Sequence, residues 1–321
     1  MVTFMRHAGA GLTVACAAVL GLASVAAADG HVRVVVAFDL DKGEIAEGVA
    51  VDSTGDLYTG ISAQGRMLKV PGGIGEPETF AVLEGLQEGD FGFVGHAVDA
   101  SGDVYTAAMS MNPEVNGVWR FDAATGEGEH IAGTEGMAMP NAIDFGEDGT
   151  MYVSDTIMGA VWHAPAGAPA QPWVVDPLLL GTNETPLPFP IGANGVDVVD
   201  GTVYVGVTEQ SSVVAIPINE DGSAGEPSVF LELEGVFVDG IVFDTNGDLY
   251  VADPPAHTLW KVTPDGSIDV VADVDDGLDG TSSVALWTDP DGQKTAYVSN
   301  QSVGIGTPLQ HGPSVIAINL E

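Results

Sequence analysis

The 321-residue chain carries 46 Asp plus Glu against only 8 Lys plus Arg, a formal charge of −38. A phosphate backbone or an anionic lipid surface repels such a molecule and divalent cations are drawn to it, so nucleic-acid partners are not expected. Its single cysteine, Cys16, lies in an N-terminal segment read as removable, which leaves the remainder without disulfides or thiolate chemistry.

That first segment reads as an export signal. Arg6 and His7 precede an Ala/Leu/Val/Gly stretch ending Ala26-Ala27-Ala28, a small-x-small cleavage pattern, so residues 1–28 are expected to be removed and the mature chain to begin at Asp29. The expected location is periplasmic or secreted, with no membrane association after cleavage. The acidity serves solubility in cation-rich surroundings equally well.

A strand signal, VRVVVAFD, follows at Val32 to Asp39. Six similar units come next: EGVAVDSTGDLYTG from Glu47, VGHAVDASGDVYTA from Val94, NAIDFGEDGTMYVS from Asn141, NGVDVVDGTVYVG from Asn194, DGIVFDTNGDLYVA from Asp239 and SSVALWTDPDGQKTAYVS from Ser282. Short Val/Ile/Phe/Tyr runs separated by Asp-Gly, Asn-Gly or Ser-Gly steps are the mark of hairpins, because those steps tolerate positive φ. A third strand follows each tyrosine strand (RMLKV, GVWRFD, AVWHAP, SVVAIPI, TLWKVT, SVIAINL), and a fourth follows in five units (ETFAVL, EHIAG, QPWVVD, PSVFLEL, SIDVVAD). The sixth unit lacks a fourth strand, and the spare strand before the first unit is its natural donor. The prediction is an all-β, single-domain six-bladed propeller over residues 29–321, closed by the N-terminal strand, with the loop Leu178 to Ala193 as its longest connection.

Equivalent positions of a closed array form a ring about its axis. The opening residues are Glu47, Val94, Asn141, Asn194, Asp239 and Ser282, and four of them, Glu47, Asn141, Asn194 and Asp239, are strong oxygen donors. Two carboxylates with two amide carbonyls suit Ca²⁺, whereas zinc and copper favour His and Cys. Asx residues also open strands merely to make turn hydrogen bonds, which is the competing role for each of them.

The steps Glu47-Gly48, Pro140-Asn141, Ala193-Asn194-Gly195 and Val238-Asp239-Gly240 resemble the calcium-ligand segments of the regucalcin/gluconolactonase (SMP-30) family, with paraoxonases and diisopropyl fluorophosphatase as similar relatives. The resemblance covers the whole mature chain as a repeat pattern. It implies one axial Ca²⁺, with Glu47, Asn141 and Asp239 matching the three protein ligands of the gluconolactonases and Asn194 the additional asparagine of the paraoxonase-like members. Where gluconolactonases commonly carry an Asn-Asp-Gly step in the second blade, this chain has Phe93-Val94-Gly95-His96. The resemblance therefore implies a calcium hydrolase of this superfamily more than a gluconolactonase.

The implied activity is hydrolysis of a lactone or ester of small size, with Asp239 or His96 as base, or Asp239 as nucleophile; sequence alone leaves that choice open. Ser110, Asp155, Glu209, Asp253 and Asn300 end the tyrosine strands and fall at the ligand end of their blades, where Asp155, Asp253 and Asn300 are candidates to orient a ligand, its water or substrate. Phe91, Phe93, Met109, Met111, Met137, Met139 and Phe189 are read as either an apolar rim or packing between blades. The rival to an enzyme is an exported propeller that binds a ligand or protein partner and holds a structural calcium. No Gly-x-Ser-x-Gly elbow, phosphate loop or His-x-x-x-His pair is present.

Overall fold

In four of the six units an aspartate of the unit itself closes the hairpin turn. In the computed structural model, which describes residues 31–183, 185, 187–302 and 310–320, Asp52 Oδ1 accepts the Thr54 and Asp56 amides at 2.8 and 3.0 Å, and Gly55 supplies the left-handed φ of 87°. Asp99, Asp244 and Asp289 close the same turn in three other units. Part of the acidity is thus local scaffolding: a carboxylate satisfies turn amides that no strand partner can reach.

These turns generate six four-stranded antiparallel sheets. The N-terminal strand is β1 (Val32–Ala37), and the first blade contains β2 (Val49–Val51), β3 (Leu57–Ile61), β4 (Arg66–Val70) and β5 (Glu78–Val82). The second is β6 (Gly92–Val98), β7 (Val104–Met109), β8 (Gly117–Phe121) and β9 (Gly128–His130); the third is β10 (Pro140–Phe145), β11 (Met151–Asp155), β12 (Ala160–Ala164) and β13 (Gln171–Val175). The fourth has β14 (Ala193–Val199), β15 (Thr202–Val207), β16 (Ser212–Pro217) and β17 (Ser228–Glu232), and the fifth β18 (Ile241–Phe243), β19 (Leu249–Asp253), β20 (Thr258–Val262) and β21 (Ile268–Ala272). The sixth holds β22 (Thr281–Thr288), β23 (Lys294–Asn300) and β24 (Ser314–Leu320), and β1 completes it by pairing antiparallel with β24, Val32 opposite Ile318. Closure by the spare strand is as the repeat count requires.

All six tyrosines of the chain occupy one register. Tyr58, Tyr105, Tyr152, Tyr204, Tyr250 and Tyr297 lie opposite Ala50, Ala97, Asp144, Asp197, Val242 and Ala285 of the inner strands. Several turn into the seam between blades: Tyr152 packs with Val196 and Val203 of the following blade, and Tyr297 with Val49 and Leu57 of the first. The core is therefore a set of inter-blade clusters around an open axis, not one central mass.

The glycine that follows most opening residues keeps the axis narrow. A Cβ on Gly48 would collide with the Val94 carbonyl, one on Gly95 with the Asn141 carbonyl, and one on Gly240 would lie 2.8 Å from Ser282 O. Removing that Cβ lets neighbouring inner strands approach until their backbones bond across the seam, as Gly195 N to Asp239 O at 3.1 Å and Gly240 N to Ser282 O at 2.8 Å.

The segment expected to act as an export signal, residues 1–28, lies outside the described residues. No helix among the described residues is long and apolar enough to cross a membrane.

Candidate metal centre on the propeller axis

The six opening residues do close into a ring, and each link is visible. Gly48 abuts Val94, and Gly95 abuts Asn141. Ser154 Oγ of the third blade donates to Asn194 O at 2.5 Å. Gly195 and Gly240 bond forward to Asp239 and Ser282, and Ser282 Oγ donates to Glu47 O at 2.9 Å. Ser299 Oγ donates to the same Glu47 carbonyl.

The four oxygen-bearing side chains are almost fully enclosed: Glu47 is 4% exposed, Asn141 5%, Asn194 5% and Asp239 7%. Enclosure raises the cost of charge. Burial pushes the Glu47 carboxyl up to about 8. Asp239 is held well above the usual carboxylate range, first by burial and then by the charge of Glu47 facing it, while a hydrogen bond from the Asn194 carboxamide opposes the shift. None of the ion pairs among the described residues includes either carboxylate. Glu47 Oε2 is buried with no hydrogen-bond partner.

The donor chemistry fits a hard cation. Two carboxylates and two carboxamides offer only oxygen on the ring. No cluster of three or more His, Cys, Asp and Glu that could hold a metal occurs among the described residues, so the nitrogen- and sulfur-rich alternative has no counterpart there. Val94 and Ser282 complete the ring without a charged donor.

His96 sits one step below, on the seam between the first two blades. Its Nδ1 is 2.9 Å from Thr106 Oγ1, and its Nε2 is buried without a partner. Phe93 stands edge-on to its ring at 5.9 Å, and Gly48 and Gly60 leave the space its imidazole fills. Burial pushes its pKa down to about 3, which keeps the ring neutral.

The polar residues at the ends of the tyrosine strands grip backbone. Asp155 accepts the amides of Ala138 (2.8 Å), Met139 (3.1 Å) and Met158 (3.2 Å), thereby fixing the loop that delivers Asn141. Asp253 accepts from Trp260 Nε1 at 3.1 Å and from the Phe237 amide in the loop before Asp239. Asn300 accepts the Asp279 amide at 2.9 Å and donates to Gly277 O and Ser314 Oγ, which fixes the approach to Ser282. Ser110 bonds Asp90, and Glu209 holds the Asn183 and Thr185 amides of the long fourth-blade loop. These residues hold the ring from behind.

Of the residues read as rim or packing, Phe93 (0% exposed) and Met137 (4%) are packing, and Met111 (85%) is at the surface. Phe91, Met109, Met139 and Phe189 are half-buried.

Two features escaped the sequence reading. Thr156 and Thr208, directly after the tyrosine strands of the third and fourth blades, bond Asn141 and Asn194; their recurrence at that offset was the available signal. Below the ring, Asp144 and Asp197 line the channel and hydrogen-bond each other. Asp144 is raised well above the ordinary range by burial and then by the Asp197 charge, and Asp197 is raised by burial. Their Oδ2 atoms accept the Val198 amide at 2.7 Å and the Phe243 amide at 2.6 Å, tying each blade to the next.

Comparison with solved structures finds the same fold in proteins of low sequence identity. A gluconolactonase from Xanthomonas campestris superposes with a TM-score of 0.64 at 18% identity, covering 90% of this chain and 89% of the other. Regucalcin from Agrobacterium tumefaciens, described as a calcium-binding protein, gives 0.63 at 15% identity over 89% and 92% of the two chains. A luciferin-regenerating enzyme gives 0.63 at 13% identity over 87% and 92%. Scans against protein-family models and against curated proteins each found no match.

Proposed function

We propose that this chain is an exported, calcium-dependent hydrolase of a small lactone or ester, working at the axial ring. The observation that carries the reading is the pair of enclosed carboxylates, Glu47 and Asp239, which face one another without a cationic side chain while two carboxamides bracket them. Such an arrangement is costly unless a cation joins it. The likeness in fold to a gluconolactonase and to a calcium-binding regucalcin supports the same reading.

When bound there, Ca²⁺ would polarise a substrate carbonyl and hold a water near it. Glu47, Asn141, Asn194 and Asp239 are the residues that would hold it. His96, kept neutral and weakly basic by burial, is poorly matched to taking a proton near neutral pH. The role of base or nucleophile falls to Asp239, whose approach loop Asp253 fixes. The strong negative charge favours a neutral substrate and no nucleic-acid partner.

Calcium-binding calorimetry on chelator-treated protein, followed by a panel of lactones, aryl esters and phosphotriesters with and without chelator, tests the proposal. Tight Ca²⁺ binding, a calcium-dependent rise in Tm and chelator-sensitive turnover are expected, and Asp239→Asn should reduce turnover by roughly 100-fold or more. The second reading, a binding module with a structural calcium, rests on the engagement of Asp155, Asp253 and Asn300, all of them bonded to backbone or neighbouring side chains. It wins if calcium binds tightly and the whole panel stays intact.

A further inference from the structure

An asparagine presents an oxygen or an NH₂ to a cation, depending on how its amide is turned. In a ring holding two of them, that choice decides whether the site has four oxygen donors or only two. The structure contains a device that makes it. Asn141 Nδ2 lies 3.1 Å from Thr156 Oγ1, and that hydroxyl lies 2.8 Å from Ala193 O, the carbonyl just before Asn194. One blade on, Asn194 Nδ2 lies 3.0 Å from Thr208 Oγ1, and that hydroxyl lies 2.7 Å from Val238 O, just before Asp239. A hydroxyl has one proton to give. A backbone carbonyl can only accept, so each threonine spends its proton there and can only accept from the asparagine. The atom facing it must then be the NH₂, and the amide oxygen is left on the far side.

Comparison between blades sharpens the point. The amides of Ser62, Thr156, Thr208 and Gln301 bond the carbonyls two residues before Glu47, Asn141, Asn194 and Ser282, at 2.8, 3.0, 3.1 and 2.9 Å, so these residues occupy one equivalent position. Opposite both carboxamides it holds a hydrogen-bonded threonine. In the fifth blade, where the ring residue is Asp239, the residue after Asp253 is Pro254, which brings no donor. In the first blade it is Ser62, buried, with its hydroxyl unpartnered. Both oxygens of a carboxylate are equivalent as donors, so Glu47 and Asp239 need no such lock.

We propose that Thr156 and Thr208 are positioning residues that lock Asn141 and Asn194 with their carboxamide oxygens toward the axis and so set the divalent-cation affinity of the ring. The proposal rests on the calcium reading above and adds residues to it. Each threonine also ties an asparagine to the backbone that carries the next ring residue. Binding at one blade is thereby transmitted to its neighbour.

The test is calorimetric titration of the full-length mature protein with CaCl₂ alone, alongside Thr156→Val, Thr208→Val, the two Thr→Ser variants and Ser62→Ala. Valine keeps the shape and removes the hydroxyl. Each valine variant should weaken Ca²⁺ binding by about 10-fold or more, the range seen when groups that orient metal ligands are lost. Serine should restore affinity to within about 3-fold, and Ser62→Ala should stay near wild type. A double variant guards against a merely structural effect: in an Asn141→Asp background the ligand has no wrong side, so adding Thr156→Val should cost far less affinity than it does beside Asn141. Wild-type affinity in folded Thr156→Val and Thr208→Val, or an equal loss in the Asn141→Asp background, would overturn the positioning role while leaving the calcium reading standing. No calcium binding by the wild type would overturn both.

Discussion

Glu47 shows how much one buried carboxyl can bias the molecule. Its pKa of about 8 in the fold, against an ordinary 4.5, means that between those values the folded chain keeps a proton the unfolded chain has lost. The contribution of Glu47 to the stability of the metal-free protein therefore falls as pH rises from about 4.5 to about 8, and that loss is complete above it. Glu47→Gln should remove the Glu47 share of the slope and raise the stability of the calcium-free protein at pH 8 by on the order of a few kcal/mol, read from urea unfolding in chelator. The same variant should lose most of the Tm gain that calcium gives the wild type. A variant that is less stable than wild type at pH 8 in chelator would count against the strained-carboxylate picture. Metal affinity must run the other way with pH, since the cation and the proton compete for the same oxygens.

At the scale of elements, the inner strands do two jobs at once, and only one was legible beforehand. The opening donors could be read because they recur at one offset from the tyrosine, with 11 residues separating Glu47 from Tyr58 and Asn141 from Tyr152 alike. The glycine after them was visible in the text of the repeat, but its reason, contact with the carbonyl of the next blade, is a property of closure that a single strand does not contain. Thr156, Thr208, Asp144 and Asp197 were missed for a related cause: each acts on the following blade 30 to 54 residues away, beyond the reach of local periodicity. Asp155 and Asp253 were placed at the right end, yet their bonds to loop amides depend on loop paths that no propensity encodes. The Asp144–Asp197 pair makes a prediction at this scale. Asp144 is raised well above the usual range by burial and the Asp197 charge, so its contribution to stability declines as the pH climbs above the normal carboxylate range. Asn at 144 can accept the Val198 amide and donate to Asp197 permanently. Asp144→Asn should therefore be more favourable to stability, relative to wild type, at pH 8 than at pH 5. An equal change at both values would count against the raised Asp144 carboxyl.

The whole molecule is held by closure more than by any single core. Its apolar clusters are strung around the seams, and the sixth blade is shared between the two ends of the described chain through β1 and β24. Deleting Val32–Ala37 would unpair β24, whose Ile316 and Ile318 are at most 2% exposed, and open the ring at its last seam. The truncated protein should lose several kcal/mol, expose apolar surface to a hydrophobic dye and self-associate in gel filtration; a monomer with unaltered Tm would show that the ring does not depend on that strand. The six-blade count and its closure were readable from sequence because a missing fourth strand and a spare first strand can be counted without knowing any contact.

The seam in the sixth blade brings residues far apart in the chain side by side: Asn319 N donates to His31 O at 2.8 Å. Order around the circle is thus kept by strand pairing across this seam, not by a covalent link there. Joining those two positions through a short flexible link and cutting instead at an exposed tip, such as the Asp221-Gly222 turn on the rim of the fourth blade, gives a circular permutant with every strand pair retained. In that rearranged protein the fastening moves to another blade while the axial donors stay in place, so ring chemistry and chain fastening become separable properties of one architecture.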